Sequence, residues 1–180
     1  MTGLDFTACA LSTAGLAGAL FALVGALTGA ATSRPAVAGV RLAPAGLAWR
    51  GLAAGVIENT LAAVCKQACV NPERVRVWLG PCIGPEAFEV GEDVRAAFTS
   101  HTALESAQAH SFFKPHAEHA GKWLADLAGL ARLRLRALGV NSVAGNDSTT
   151  EWCTVHQDSK LFSFRRDGVT GRFAVCIWRN

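Results

Sequence analysis

The spacing of apolar and polar positions changes several times along this chain, and each change predicts an element. Arg74-Val75-Arg76-Val77-Trp78-Leu79 alternates, with Val75, Val77 and Leu79 on one side. That two-residue period marks a half-buried strand. Gly80-Pro81-Cys82-Ile83-Gly84-Pro85 follows. Glycine supplies backbone freedom and proline fixes φ, so the chain leaves the sheet in a defined way and sets Cys82 on a strand-to-helix loop. Residues 89–98 then carry acids early and apolar side chains at helical steps. Acids at a helix N-terminus complement its dipole.

Upstream, residues 47–64 read as a turn and a helix, with Leu52, Val56, Thr60 and Ala63 on three- and four-residue steps. Asn71-Pro72-Glu73 is a turn, and the polar stretch 101–111 is a loop or a weak helix. The clearest helix is predicted over 122–139: Leu124, Leu127, Ala131, Leu135 and Leu138 form one stripe and Gly139 ends it. Arg132, Arg134 and Arg136 fall in its last turns, where cations suit the dipole, and read as a solvated face. At the end of the chain, 161–166 and 172–178 are β-rich runs around the glycine-containing loop 167–171, which predicts a hairpin.

The first 45 residues differ in kind. No charge occurs between Asp5 and Arg34, and Ala, Gly, Leu, Thr and Ser dominate. Two readings stand: residues 10–33 as a membrane span, for which about 20 apolar residues suffice, or a low-complexity leader outside the domain. A secretory signal is disfavoured, because Asp5 rather than Lys or Arg precedes the apolar run. The expected organisation is therefore a leader over 1–45 and one domain over 46–180. The net charge of +3 in 180 residues, with no clustered basic patch, argues against a nucleic-acid partner. Six cysteines without the spacing of a disulfide framework point to a reduced compartment, the cytoplasm.

Candidate chemistry is sparse. His116-Ala117-Glu118-His119 places two imidazoles one helical turn apart, a spacing metals use, without a third ligand at matching spacing. Cys65 and Cys69 share a helix face in the same way. No glycine-rich phosphate loop and no Gly-x-Ser-x-Gly elbow occurs.

Five segments in order carry a resemblance: Trp49-Arg50-Gly51-Leu52, residues 80–91, residues 122–127, Cys153-Thr154 and residues 162–178. Together they resemble the bacterial laccase-domain family, also called multicopper polyphenol oxidases and described as purine nucleoside phosphorylases. The resemblance covers about residues 47–180, which makes the chain look N-terminally incomplete. It implies an α/β fold of the α+β type, a single domain of mixed β-sheets with flanking helices. It also implies phosphorolysis of adenosine, inosine, guanosine or methylthioadenosine, and deamination of adenosine; purine nucleosides and phosphate would be the partners. Copper-dependent oxidation of phenols is the older description.

The family's metal, usually zinc, is held by two histidines and a cysteine, donors that suit a tetrahedral ion. Gly46 stands where one of those histidines would be, and the segments bearing the other two ligands have no match. No family ligand carries over, so an inactive remnant is a further reading, and Cys82, His116 and His119 are the only substitutes. Arg50, directly after the altered segment, is the first candidate for catalysis and for an anionic oxygen. Cys82, Arg165 and Arg166 are candidates for substrate contact, each weighed against a buried or structural role.

Overall fold

In the computed structural model the alternating segment is a strand, β3 (Val75–Leu79), with Val75, Val77 and Leu79 buried and Arg76 facing out. The structure describes residues 7–11, 22–26, 48–100 and 108–176. Strand β3 is central in a three-stranded sheet, with β2 (Ala22–Ala26) antiparallel on one side and β7 (Ser142–Gly145) parallel on the other. A parallel neighbour requires a long crossover. Here the crossover holds α3 (Glu92–Thr99), a second sheet and α4 (Leu127–Ala137). In that second sheet β6 (Trp123–Ala125) lies between β4 (Glu89–Val90) and β5 (Phe113–Pro115), all antiparallel. A third pair joins β1 (Thr7–Leu11) to β8 (Arg172–Cys176). The fold is thus a single domain of mixed sheets with flanking helices, as the resemblance implied.

Helices α1 (Ala48–Ala53) and α2 (Val56–Ala68) are separated by Gly55, held at φ 82. That left-handed residue resets the helical phase. The buried stripe of α2 is consequently Ile57, Thr60, Leu61 and Val64 rather than the expected Val56 and Ala63, both of which are exposed. Leu52, fully buried, packs into the same core as Leu79, Leu127, Leu130 and Leu135. Truncating such a side chain to alanine costs about 2–5 kcal/mol.

Three further expectations are corrected. The helix predicted over 122–139 starts only at Leu127, because Asp126 caps it, its carboxylate accepting the Gly129 N–H at 2.8 Å, while Trp123–Ala125 are drawn into the sheet between β4 and β5. Residues 89 and 90 likewise pair with β6 before α3 begins. The C-terminal hairpin does not form. Ser163 caps a short helix, α5 (Phe164–Asp167), and Arg166 bends back onto the carbonyls of Thr154, Val155 and Leu161. Such local side chain-to-backbone bonds compete with a ladder, and β8 pairs with β1 instead.

The arginines of α4 also depart from a solvated face. Arg132 donates to the carbonyls of Val143, Gly145 and Asn146, tying the helix to the end of β7. Arg134 donates to the Leu52 carbonyl and pairs with Glu58, and of the three only Arg136 is exposed. The segment 10–33 lies mostly outside the described residues. Among the described residues no helix is long and apolar enough to cross a membrane.

Candidate functional site

The second sheet assembles a cluster that the sequence keeps far apart. Glu89 leaves β4, and its partner in register across β6 is Leu124. On the other side of Leu124 sits Lys114 of β5. The chain after β5 turns through His116–Lys122, closed by His116 N–H to the Lys122 carbonyl at 2.9 Å and Lys122 N–H to the His119 carbonyl at 3.1 Å. That turn folds both imidazoles over the sheet towards Glu89. His119 Nδ1 lies 2.5 Å and His116 Nε2 3.5 Å from the same carboxylate oxygen, Oε2. The two rings stack with centroids 4.4 Å apart. The hydrogen bond from His119 and the imidazoles beside it hold the Glu89 carboxyl below the usual glutamate range. Among the described residues this is a group of three side chains whose ligand atoms lie within 4.8 Å of one another.

The histidines therefore come together, but not on a helix as their spacing suggested; they sit in the β5–β6 turn. Their third partner, Glu89, was missed. In the sequence it reads as the first acid of a helix, and nothing local links it to a turn 30 residues away.

A second, buried constellation lies where the parallel strands β3 and β7 end, the position at which open α/β sheets build sites. Cys82 and Cys153 form an isolated parallel bridge. Asn146, 2% exposed, donates to the Gly80 carbonyl and to Cys82 Sγ, and its side-chain Oδ1 accepts the Ser148 N–H. Ser148, at a positive φ of 74, passes a 2.7 Å hydrogen bond on to Asp126. Cys153 Sγ accepts the Gly84 N–H at 3.2 Å. Burial pushes the Cys82 thiol up to about 12, with the nearby Asp126 charge adding and the Asn146 amide opposing. A thiol so buried favours its protonated form. The loop geometry around Cys82 thus fixes the sheet ends.

The arginine candidates separate. Arg50 is exposed on α1, its guanidinium 4.9 Å from the Trp49 ring centroid and turned to solvent. Arg165 lies 5.7 Å over the ring of Phe88, the residue that precedes Glu89. Arg166 is occupied: besides its three backbone acceptors it binds Asp167 through two nitrogens. Cys65 is half-buried and Cys69, at φ 52, ends α2. Neither joins a metal-sized group among the described residues.

Residue 46 lies outside the described residues, and a glycine has no side-chain donor. The donors of Glu89, His116 and His119, two imidazoles and a carboxylate, do fit zinc by chemistry.

Residues 36–180 match the family model described as multi-copper polyphenol oxidoreductase laccase. Purine nucleoside phosphorylase YfiH of Escherichia coli is 45% identical over 141 residues, 78% of this chain and 52% of that protein. A purine nucleoside phosphorylase of Pseudomonas aeruginosa is 44% identical over 140 residues, again 78% and 52%. The chain thus spans about half the length of the curated relatives it matches. A crystal structure of a Neisseria meningitidis protein superposes with a TM-score of 0.66 at 38% identity, covering 96% of this chain and 60% of the other.

Proposed function

We propose, on the premise that this chain belongs to the multi-copper polyphenol oxidoreductase laccase family, that it acts in phosphorolysis of purine nucleosides. The observation that carries the reading is the 45% identity to a protein named purine nucleoside phosphorylase. Adenosine, inosine, guanosine and methylthioadenosine are the substrates in view, together with deamination of adenosine. Copper-dependent oxidation of phenols rests on the family's name alone.

In phosphorolysis a phosphate oxygen bonds to C1′ of the ribose as the C1′–N9 bond breaks, and the purine keeps the electron pair and takes a proton. Free, exposed guanidinium groups suit the anionic oxygens that gather in that step. Arg50 meets this description, having no carboxylate partner among the described residues and only the Trp49 ring beside it. Arg165, over the ring of Phe88, the residue that precedes Glu89, is a second guanidinium suited to an anionic oxygen. Arg166 is the positioning residue, fully engaged in holding the 154–167 loop. A zinc ion, when bound, supplies a Lewis acid for a phosphate or water oxygen.

Hypoxanthine released from inosine, with and without phosphate, tests the proposal. Phosphate-dependent release that falls by about 10²-fold or more in Arg50→Ala supports it, and unchanged turnover removes Arg50 from the site. No release from any of the four nucleosides would favour the inactive remnant, for which Gly46 in place of the family's histidine is the supporting feature.

A further inference from the structure

We infer that Glu89, His116 and His119 bind a divalent ion of the zinc class at a site separate from the family's His-His-Cys set. The convergence is tertiary: a residue of β4 and two from the β5–β6 turn direct ligand atoms to a common point, all within 4.8 Å. One carboxylate oxygen is addressed by both imidazoles, so the group is already gathered before any ion arrives, and little ordering remains to oppose binding. Two imidazoles and a carboxylate select borderline ions such as Zn²⁺ and Co²⁺ over Mg²⁺ and Ca²⁺, which take oxygen, and over Cu(I), which takes thiolate. His119 is exposed, so the ion has an open path from solvent and a position left for water.

The proton count sets the order of the ligands. His119 Nδ1 donates to Glu89 in the present arrangement; ligation through Nδ1 leaves the ring proton on Nε2 of this exposed side chain. His116 is different, because its Nδ1 accepts the amide N–H groups of Glu118 and His119, each at 3.2 Å. That places its proton on Nε2, and ligation through Nε2 shifts the proton to Nδ1 and gives up both long contacts. Glu89 and His119 are therefore the leading ligands and His116 the third. The buried, protonated Cys82 takes no part.

The test is zinc bound per chain on the full chain, by equilibrium dialysis, with Co²⁺ absorption as a second readout and no nucleoside present. About one zinc per chain is expected, with Co²⁺ bands of nitrogen and oxygen ligation and no thiolate charge transfer. Glu89→Gln and His119→Ala should each weaken binding on the order of tenfold or more, while Cys82→Ser leaves it unchanged. Far-UV circular dichroism checks that the exposed His119→Ala variant folds. No zinc bound to the wild type, or binding undiminished in both Glu89→Gln and His119→Ala, overturns the site. The readout is independent of turnover, so this inference and the phosphorolysis reading fail separately.

Discussion

Replacing Asn146 by alanine probes the polar joint between β3, β7 and the Cys82 loop. The side chain is 2% exposed and makes three hydrogen bonds: to the Gly80 carbonyl at 3.1 Å, to Cys82 Sγ at 3.3 Å and from the Ser148 N–H at 2.9 Å. The backbone bond from Asn146 N to the Leu79 carbonyl survives the change, so the loss isolates the side chain. The buried Gly80 carbonyl, left unpaired, costs about 1–3 kcal/mol, and the half-buried Ser148 amide, partly reached by water, about 1 kcal/mol. Sulfur is a weak acceptor and adds little. A void the size of an amide adds about 1 kcal/mol. The expected loss is about 3–5 kcal/mol, a large part of a small domain's stability. Urea unfolding followed by tryptophan fluorescence measures it, since Trp78 and Trp152 meet edge to face 5.9 Å apart in strands and loops bonded to this network. The midpoint should fall at unchanged m-value. Arg136→Ala, on the exposed side of α4, is the control and should stay within about 0.5 kcal/mol. A loss below about 1 kcal/mol for Asn146→Ala would refute the argument, because the three contacts would then be bystanders.

Two shorter predictions follow from the same joint and from the C-terminal loop. Gly145→Ala should destabilise by about 2–5 kcal/mol in the same assay: φ is 81, costing about 1–2 kcal/mol for an L-residue, and the new Cβ would run into the Leu79 carbonyl and lie 2.9 Å from Trp78 Nε1, an overpacking worth about 1–3 kcal/mol. A stability equal to wild type would mean that the turn after β7 relaxes freely. Asp167 is held below the usual aspartate range, first by its hydrogen bond with Arg166. The unfolded chain then binds more protons in the interval between the depressed and the ordinary value, so this group's stabilisation is present above the ordinary value and is lost as pH falls through the depressed one. Stability should drop with acid across that window, and Asp167→Asn should flatten the drop; an identical acid profile for the variant contradicts the pairing.

Of the first sheet, the central strand was legible in the sequence; β2 and β7 were not. The period of two over 74–79 needs only that one face be buried, and β3 buries the three residues that pattern names. Family-like segments around Trp49, Cys82, Trp123, Cys153 and Phe162 likewise pointed to the mixed fold. The phase of α2 was misread because one left-handed glycine shifts every later position, and periodicity averaged across Gly55 blends two helices. The start of α4 was misread because Trp123-Leu124-Ala125 satisfies a helical stripe as well as a strand; sheet partners on both sides decided it.

The candidate site divides along the same line. Two histidines three residues apart, Arg50 and the glycine at position 46 belong to the sequence and need no fold to be seen. Glu89 joins the histidines only because β6 lies between β4 and β5 and the 116–122 turn closes over it. Arg132 and Arg134 changed from a solvated face to clamps on backbone carbonyls, and Arg166 from a candidate for substrate contact to another such clamp, for an equivalent reason: their acceptors lie on other elements. The sequence determined which stretches alternate, which bend and which chemical groups are present, since those depend on neighbours within a turn or two. Which groups meet was decided by tertiary structure alone, because a hydrogen bond or a ligand set is a matter of a few ångströms between segments that the chain holds tens of residues apart.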